Sequence, residues 1–149
     1  MSIVDGGRCA PRWRGRSQLK LQIDSIDPNA NVIQSYGPGQ VKIRADVYHA
    51  SLLVTPTKII SDWPPQSFHD LDASYFAALV ALEPELVILG TGKYLRFPSP
   101  AVTRALIDAN IGFEVMDTGA ACRTYNILMS EGRKVVAALL MIEEEPALA

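Results

Sequence analysis

GFEVMDTGAACRTYNILMSEGRKVVAAL, residues 112–139, decides the fold. FEVM (113–116) is a short strand. Asp117 or Thr118 then stands where a side-chain oxygen caps a helix, accepting from first-turn N–H groups. Ala121, Tyr125, Leu128 and Met129 recur at i, i+4, i+7 and i+8, one face of a helix. The helix is expected to run to about Glu131 and to stop at Gly132, with Ala120 and Ala121 permitting close approach. KVVAALLMI (134–142) is apolar without alternation, as a strand covered on both faces must be. Strand, helix and strand with short joints imply parallel strands joined by a crossover.

The same rhythm extends upstream. ELVILG (85–90) is a second continuous apolar strand. Ser99 and Pro100 open a helix, proline at its favoured first position, and Asn110-Ile111-Gly112 ends it after about Ala109. Asp72 caps a helix over 73–82, with Phe76, Leu79 and Val80 on one face, and Glu83-Pro84 closes it. The first half reads differently. LKLQI (19–23) alternates, DPNAN (27–31) is turn chemistry, and VIQSY (32–36) meets the reversal at Gly37 and Gly39. In VKIRADVYHASLLVTP (41–56), Val41, Ile43 and Ala45 alternate with Lys42 and Arg44, the pattern of hairpins. SLLVT is apolar on successive residues, Pro56 ends it, and TKII (57–60) is one more short strand. The expected fold is α/β: a single three-layer domain over 19–142, its mixed β-sheet having a parallel βαβ second half and antiparallel hairpins in the first half. Residues 1–18 read as a disordered basic arm and 143–149 as a solvated acidic tail.

The chain of 149 residues suits one domain with a substantial core. Its 48% hydrophobic and 20% charged residues are those of an ordinary globular protein. The net charge of −2 gives no overall pull toward nucleic acid. The charge is nonetheless uneven: five of the 14 basic residues (Arg8, Arg12, Arg14, Arg16, Lys20) lie in the first 20 positions beside one acid, Asp5. That arm is either a floppy extension or a contact for an acidic partner or membrane. It is arginine-rich like a transit peptide, but its glycines and proline break the amphipathic helix such a peptide needs. No apolar run approaches ~20 residues, so no membrane span is expected, and no secretory signal is read. Cys9 and Cys122 are too few for a disulfide framework, which fits a reducing, cytoplasmic location. His49 and His69 lack ligand spacing to each other or to the cysteines, so no metal site is expected.

GTGK (90–93) follows a strand and invites a phosphate reading. A P-loop would need glycine at Val87 and a hydroxyl at Tyr94, and a dinucleotide fingerprint would need a small residue at Leu95. What survives is a glycine turn that lets backbone approach an anion, with Lys93 adding charge, or simply a tight strand-to-helix turn. If strands 85–90 and 113–116 are neighbours, their two bends share one sheet edge, where open α/β sheets bind ligands. Thr91, Gly92, Lys93, Asp117, Thr118 and Arg123 are the candidate lining, with Arg123 aimed between the bends. Asp117 opposes an anion unless it is used for capping. Cys122 is read as a half-buried thiol near the packing boundary; as a nucleophile it would need a lowered pKa and a base, and no histidine is near in sequence. Arg123 needs a carboxylate or carbonyl, from Asp117 or from a ligand. Trp63, held extended before two prolines, is either a cover over the sheet or an exposed partner anchor.

DTGAACRTYNILMSEGRKVVAALL, ELVILGTGKYLRFPSP and VIQSYGPGQVKI…SLLVTP…W, taken together and in order, resemble the domain family that includes the mitochondrial complex I assembly factor 3 and the adipogenesis-associated protein, with many uncharacterised bacterial and archaeal members. The resemblance covers about 19–142. It implies a three-layer α/β fold, no established enzymatic activity or cofactor, and action through protein partners. Its recurrent segments fall on Thr91 and Gly92, Asp117 and Thr118, and Ala121 through Asn126, Tyr125 included, without assigned roles. The expectation is therefore a non-catalytic interaction or assembly module with a protein partner. The alternatives are a binder of a small acidic metabolite and an enzyme using Cys122 or Asp117.

Overall fold

The computed structural model describes residues 28–144. The chain divides into two compact units, Met1–Ala30 and Asn31–Ala149. Of the first, only the turn at 28–30 is described. The expected arm 1–18, the strand 19–23 and residues 145–149 of the tail lie outside the described residues.

In the second unit, β1 (Ile33–Gly37), β2 (Gln40–Ile43) and β3 (Asp46–Tyr48) form an antiparallel three-stranded sheet. Gly39, at φ 69°, makes the first reversal, a conformation that costs glycine little. The second reversal corrects the sequence reading. Alternation ends at Ile43, because Arg44 takes φ 56° and turns the chain. Val41 and Ile43 are fully buried while Gln40 and Lys42 face out, so this ribbon has one packed face.

The larger sheet contains β4 (Leu52–Val54), β5 (Ile59–Ile60), β6 (Leu86–Gly90), β7 (Gly112–Met116) and β8 (Val135–Leu139), in the order β5-β4-β8-β6-β7. β6 pairs parallel with both β7 and β8; β4 pairs antiparallel with β8 and with β5. Every residue of β4, β6 and β8 is buried, which is why these segments read as unbroken apolar runs. The expected hairpins thus divide: one group forms the small sheet, and β4–β5 extends the mixed one.

Helices α1 (Ala73–Leu79) and α2 (Pro100–Asp108) pack together on one face. Phe76, Leu79 and Leu106 meet Leu53, Val87, Leu89, Val136 and Ala138 there. Trp63 joins this cluster, only 4% exposed, with its ring edge-on to Tyr75 and Phe76 at 6.3 Å. Of its two readings, the structure gives the cover and not the exposed anchor. The opposite face carries α3 (Thr118–Ser130), which packs on β6 and β8 and also touches β1. Closeness there depends on Gly90: a Cβ would meet Thr118 at 3.0 Å and Ala121 at 3.1 Å. The layers are therefore helix pair, sheet, and helix with the small sheet.

The punctuation follows the sequence chemistry. Asp72 accepts from the Ser74 hydroxyl and N–H at the head of α1, and these bonds, the hydroxyl's foremost, lower its carboxyl pKa. α1 ends at Leu79 and tightens into a 3-10 turn before left-handed Glu83 and Pro84. Pro100 starts α2, although the Ser99 side chain makes no capping bond. Asn110 at φ 60° and Gly132 at φ 79° mark the ends of α2 and α3.

Candidate functional site

The parallel pairing of β6 with β7 places the two glycine-bearing bends side by side. Thr118 joins them. Its N–H donates to the Gly92 carbonyl at 2.9 Å, and its Oγ1 accepts from the Gly92 N–H at 2.8 Å. The same Oγ1 donates to the Leu140 carbonyl at 2.6 Å, beyond the end of β8. One fully buried hydroxyl thus fastens the exits of two parallel strands to the start of α3. Asp117 caps that helix, accepting from the Ala120 N–H at 2.9 Å. Gly92, Asp117 and Thr118 thus use their polar groups within the two bends and the strand ends beside them.

Thr91 supports the next loop. Its N–H donates to the Met116 carbonyl at 3.0 Å. Its Oγ1 donates to the Tyr94 carbonyl at 2.6 Å and accepts from the Arg96 N–H at 3.2 Å. Fastened from below, the loop presents Tyr94, Leu95 and Phe97 to solvent, 54%, 51% and 72% exposed. Burying such side chains is ordinarily favourable, so three together on one loop are informative. They were not among the sequence candidates. The available signal was aperiodic: apolar residues inside a turn bounded by Gly92 and Pro98, alternating with Lys93 and Arg96.

A strap after β8 crosses this edge. Leu140 N–H donates to the Gly90 carbonyl at 3.0 Å, and the Ile142 carbonyl accepts from the Gly39 N–H at 2.9 Å. Pro38 and Ile142 form an isolated parallel bridge, so the strap reaches the small sheet as well. Glu143 then turns back. Its carboxylate accepts from the Lys93 N–H at 2.9 Å and pairs with the Arg96 guanidinium at 3.3 Å. It lies over Gly92, where a Cβ would overlap it. The glycine turn does let an anion approach its backbone, and in the folded chain that anion is its own Glu143 carboxylate. That residue was expected to be solvated tail.

The cluster on α3 serves a different surface. Arg123 does not enter the space between the bends; it donates to the Tyr36 hydroxyl, its guanidinium 5.9 Å from that ring. Tyr36 lies against Gly119, where a Cβ would come within 2.9 Å of the ring. Asn126 binds the Ile33 backbone twice, accepting from its N–H at 3.0 Å and donating to its carbonyl at 2.8 Å. The Tyr125 hydroxyl donates to the Asn31 carbonyl at 2.7 Å. Tyr125 and Asn126 thus stitch the small sheet to the helix. Cys122 is 1% exposed, deeper than the packing boundary expected for it. Burial pushes its thiol up to about 12; Arg123 opposes this and Asp117 adds to it. At neutral pH the group is a protonated thiol, the reverse of an activated nucleophile.

Among the described residues no group of three or more His, Cys, Asp or Glu could hold a metal ion, and no helix is long and apolar enough to cross a membrane. A cavity of about 410 Å³ opens at the other end of β8, lined in part by Leu82, Met129, Lys58, Arg133 and Lys134. Arg133 there is paired with Glu85 at 3.4 Å.

A family model described as a protein of unknown function, DUF498/DUF598, matches residues 33–140. The chain is 33% identical over 136 residues to the mouse (Mus musculus) NADH dehydrogenase [ubiquinone] 1 alpha subcomplex assembly factor 3, covering 90% of this chain and 72% of that protein. It is 36% identical over 110 residues to an uncharacterised protein of Rhodobacter capsulatus, covering 72% of this chain and 82% of that one. The solution structure of a Bordetella pertussis protein, described as an Mth938-like domain, superposes with a TM-score of 0.71 at 30% identity, covering 80% of this chain and 90% of that one.

Proposed function

The chain belongs to the DUF498/DUF598 family, relatives of which are named as complex I assembly factors, and from that premise we propose that it is a non-catalytic protein-interaction module of assembly-factor type. The observation that carries this reading is the loop 93–97. Tyr94, Leu95 and Phe97 are each more than half exposed, while Thr91 and Thr118 hydrogen bonds hold the loop's base. A loop fixed before binding loses little conformational freedom when a partner covers it, which favours association. Exposed aromatics with an adjacent arginine are the composition of interface hot spots. The buried, protonated Cys122 argues against an enzyme using that thiol, and Asp117 is occupied as the cap of α3. A cytoplasmic location is part of the same proposal.

The test is photo-crosslinking in cells, with a photoreactive aromatic replacing Tyr94. A discrete adduct to an identified protein is expected, and Phe97→Ala should abolish it. No adduct, or one indifferent to Phe97, would overturn the reading.

A further inference from the structure

We infer that the loop 93–97 recognises a partner segment presenting a carboxylate beside a large apolar side chain, and that Glu143 holds the carboxylate position until that segment displaces it. The inference rests on the interaction reading above and specifies the partner's chemistry.

Two features of the loop meet at one place. The Lys93 N–H and the Arg96 guanidinium converge on a carboxylate, at 2.9 and 3.3 Å. Gly92, at φ 96°, supplies the open space above the backbone that this carboxylate needs. Around it stand Tyr94, Leu95 and Phe97, which Glu143 leaves exposed. The seated acid therefore satisfies the polar groups and leaves Leu95 and Phe97 largely exposed. A free anion would do the same. A peptide with an Asp or Glu flanked by an aromatic or aliphatic residue would use both.

The seated acid is also exchangeable. Both members of the Arg96–Glu143 pair are substantially exposed, at 36% and 45%, and an ion pair in that setting contributes little net stability. The strap remains anchored through its backbone at Leu140 and Ile142 when the Glu143 side chain leaves. Displacement is thus a side-chain event that does not require unfolding. Glu143 then lowers affinity for competitors by the fraction of time it occupies the place.

The experiment is selection of random linear peptides on the full-length protein, followed by fluorescence anisotropy with the selected peptides. They are expected to share an acidic residue next to a large apolar one. Glu143→Ala should tighten their binding, by about tenfold if the carboxylate occupies its place nine-tenths of the time. Arg96→Ala and Phe97→Ala should each abolish it, with unchanged far-UV circular dichroism. Peptides that need Phe97 but carry no acid, or that ignore Glu143→Ala, would overturn the carboxylate inference and leave the docking loop standing. No Phe97-dependent binder at all would sink both. Concentration-dependent dimerisation abolished by Phe97→Ala would assign the surface to a second copy of this chain and likewise overturn the inference.

Discussion

Replacing Thr118 with valine keeps the branched shape and deletes the hydroxyl that ties three chain segments together. The Gly92 N–H loses its acceptor and the Leu140 carbonyl its donor, from bonds of 2.8 and 2.6 Å. Thr118 is fully buried, so water does not reach the orphaned groups without a local opening. An unsatisfied buried polar group costs about 1–3 kcal/mol, the carbonyl toward the lower end, so Thr118→Val is expected to destabilise by about 2–4 kcal/mol. Thr118→Ser keeps both bonds and removes one methyl, worth about 1 kcal/mol. For a domain of this size each kcal/mol shifts Tm by about 2–4 °C. Urea unfolding followed by far-UV circular dichroism, with both variants sharing the wild-type m-value, gives the comparison directly. If valine falls within about 0.5 kcal/mol of wild type, or serine costs as much as valine, the hydroxyl does not fasten these segments.

Two further outcomes bear on α3. Asn126→Ala leaves the Ile33 N–H and carbonyl without their partners and should cost about 2–3 kcal/mol, with faster amide exchange at Ile33, whereas exposed Arg123→Ala on the same helix should stay within about 0.5 kcal/mol; equal effects would contradict the stitching role. Cys122 titrates near 9.0 when unfolded and is pushed up to about 12 when folded, so the unfolded chain releases a proton that the folded one retains. Stability is then intact below pH 9.0 and falls as pH rises above it, by up to about 1.4 kcal/mol per pH unit. Cys122→Ala should remove that slope between pH 9.0 and 10.0, before Tyr125 adds a change of the same sign, and native thiol should alkylate only slowly with iodoacetamide; rapid alkylation would contradict the burial.

Those parts of the fold that depend on local chemistry could be read from sequence. The unbroken apolar runs of β4, β6 and β8 announced strands buried on both faces, and Asp72, Pro100 and Asn110 marked helix boundaries where they were expected. The adjacency of the two bends followed from parallel pairing. What could not be read depends on partners distant in the chain. Asn126 finds Ile33 across 93 residues, and Glu143 finds Lys93 across 50. Neither spacing leaves a periodic mark. Arg123 was assigned to the bends because a guanidinium needs an acceptor, but the acceptor it takes is a tyrosine hydroxyl brought in by a different sheet. Phe97 escaped notice because an apolar residue in an aperiodic loop carries no sign of whether it packs inward.

The order of the larger sheet bears on how the chain comes off the ribosome. β8 follows every other described strand in sequence, yet it lies between β4 and β6. Until it emerges, the nascent chain holds two incomplete ladders with bare apolar edges and nothing to insert between them. Such edges invite pairing with other chains, so the interval between translation of β6 and arrival of β8 is when a growing copy most needs shielding.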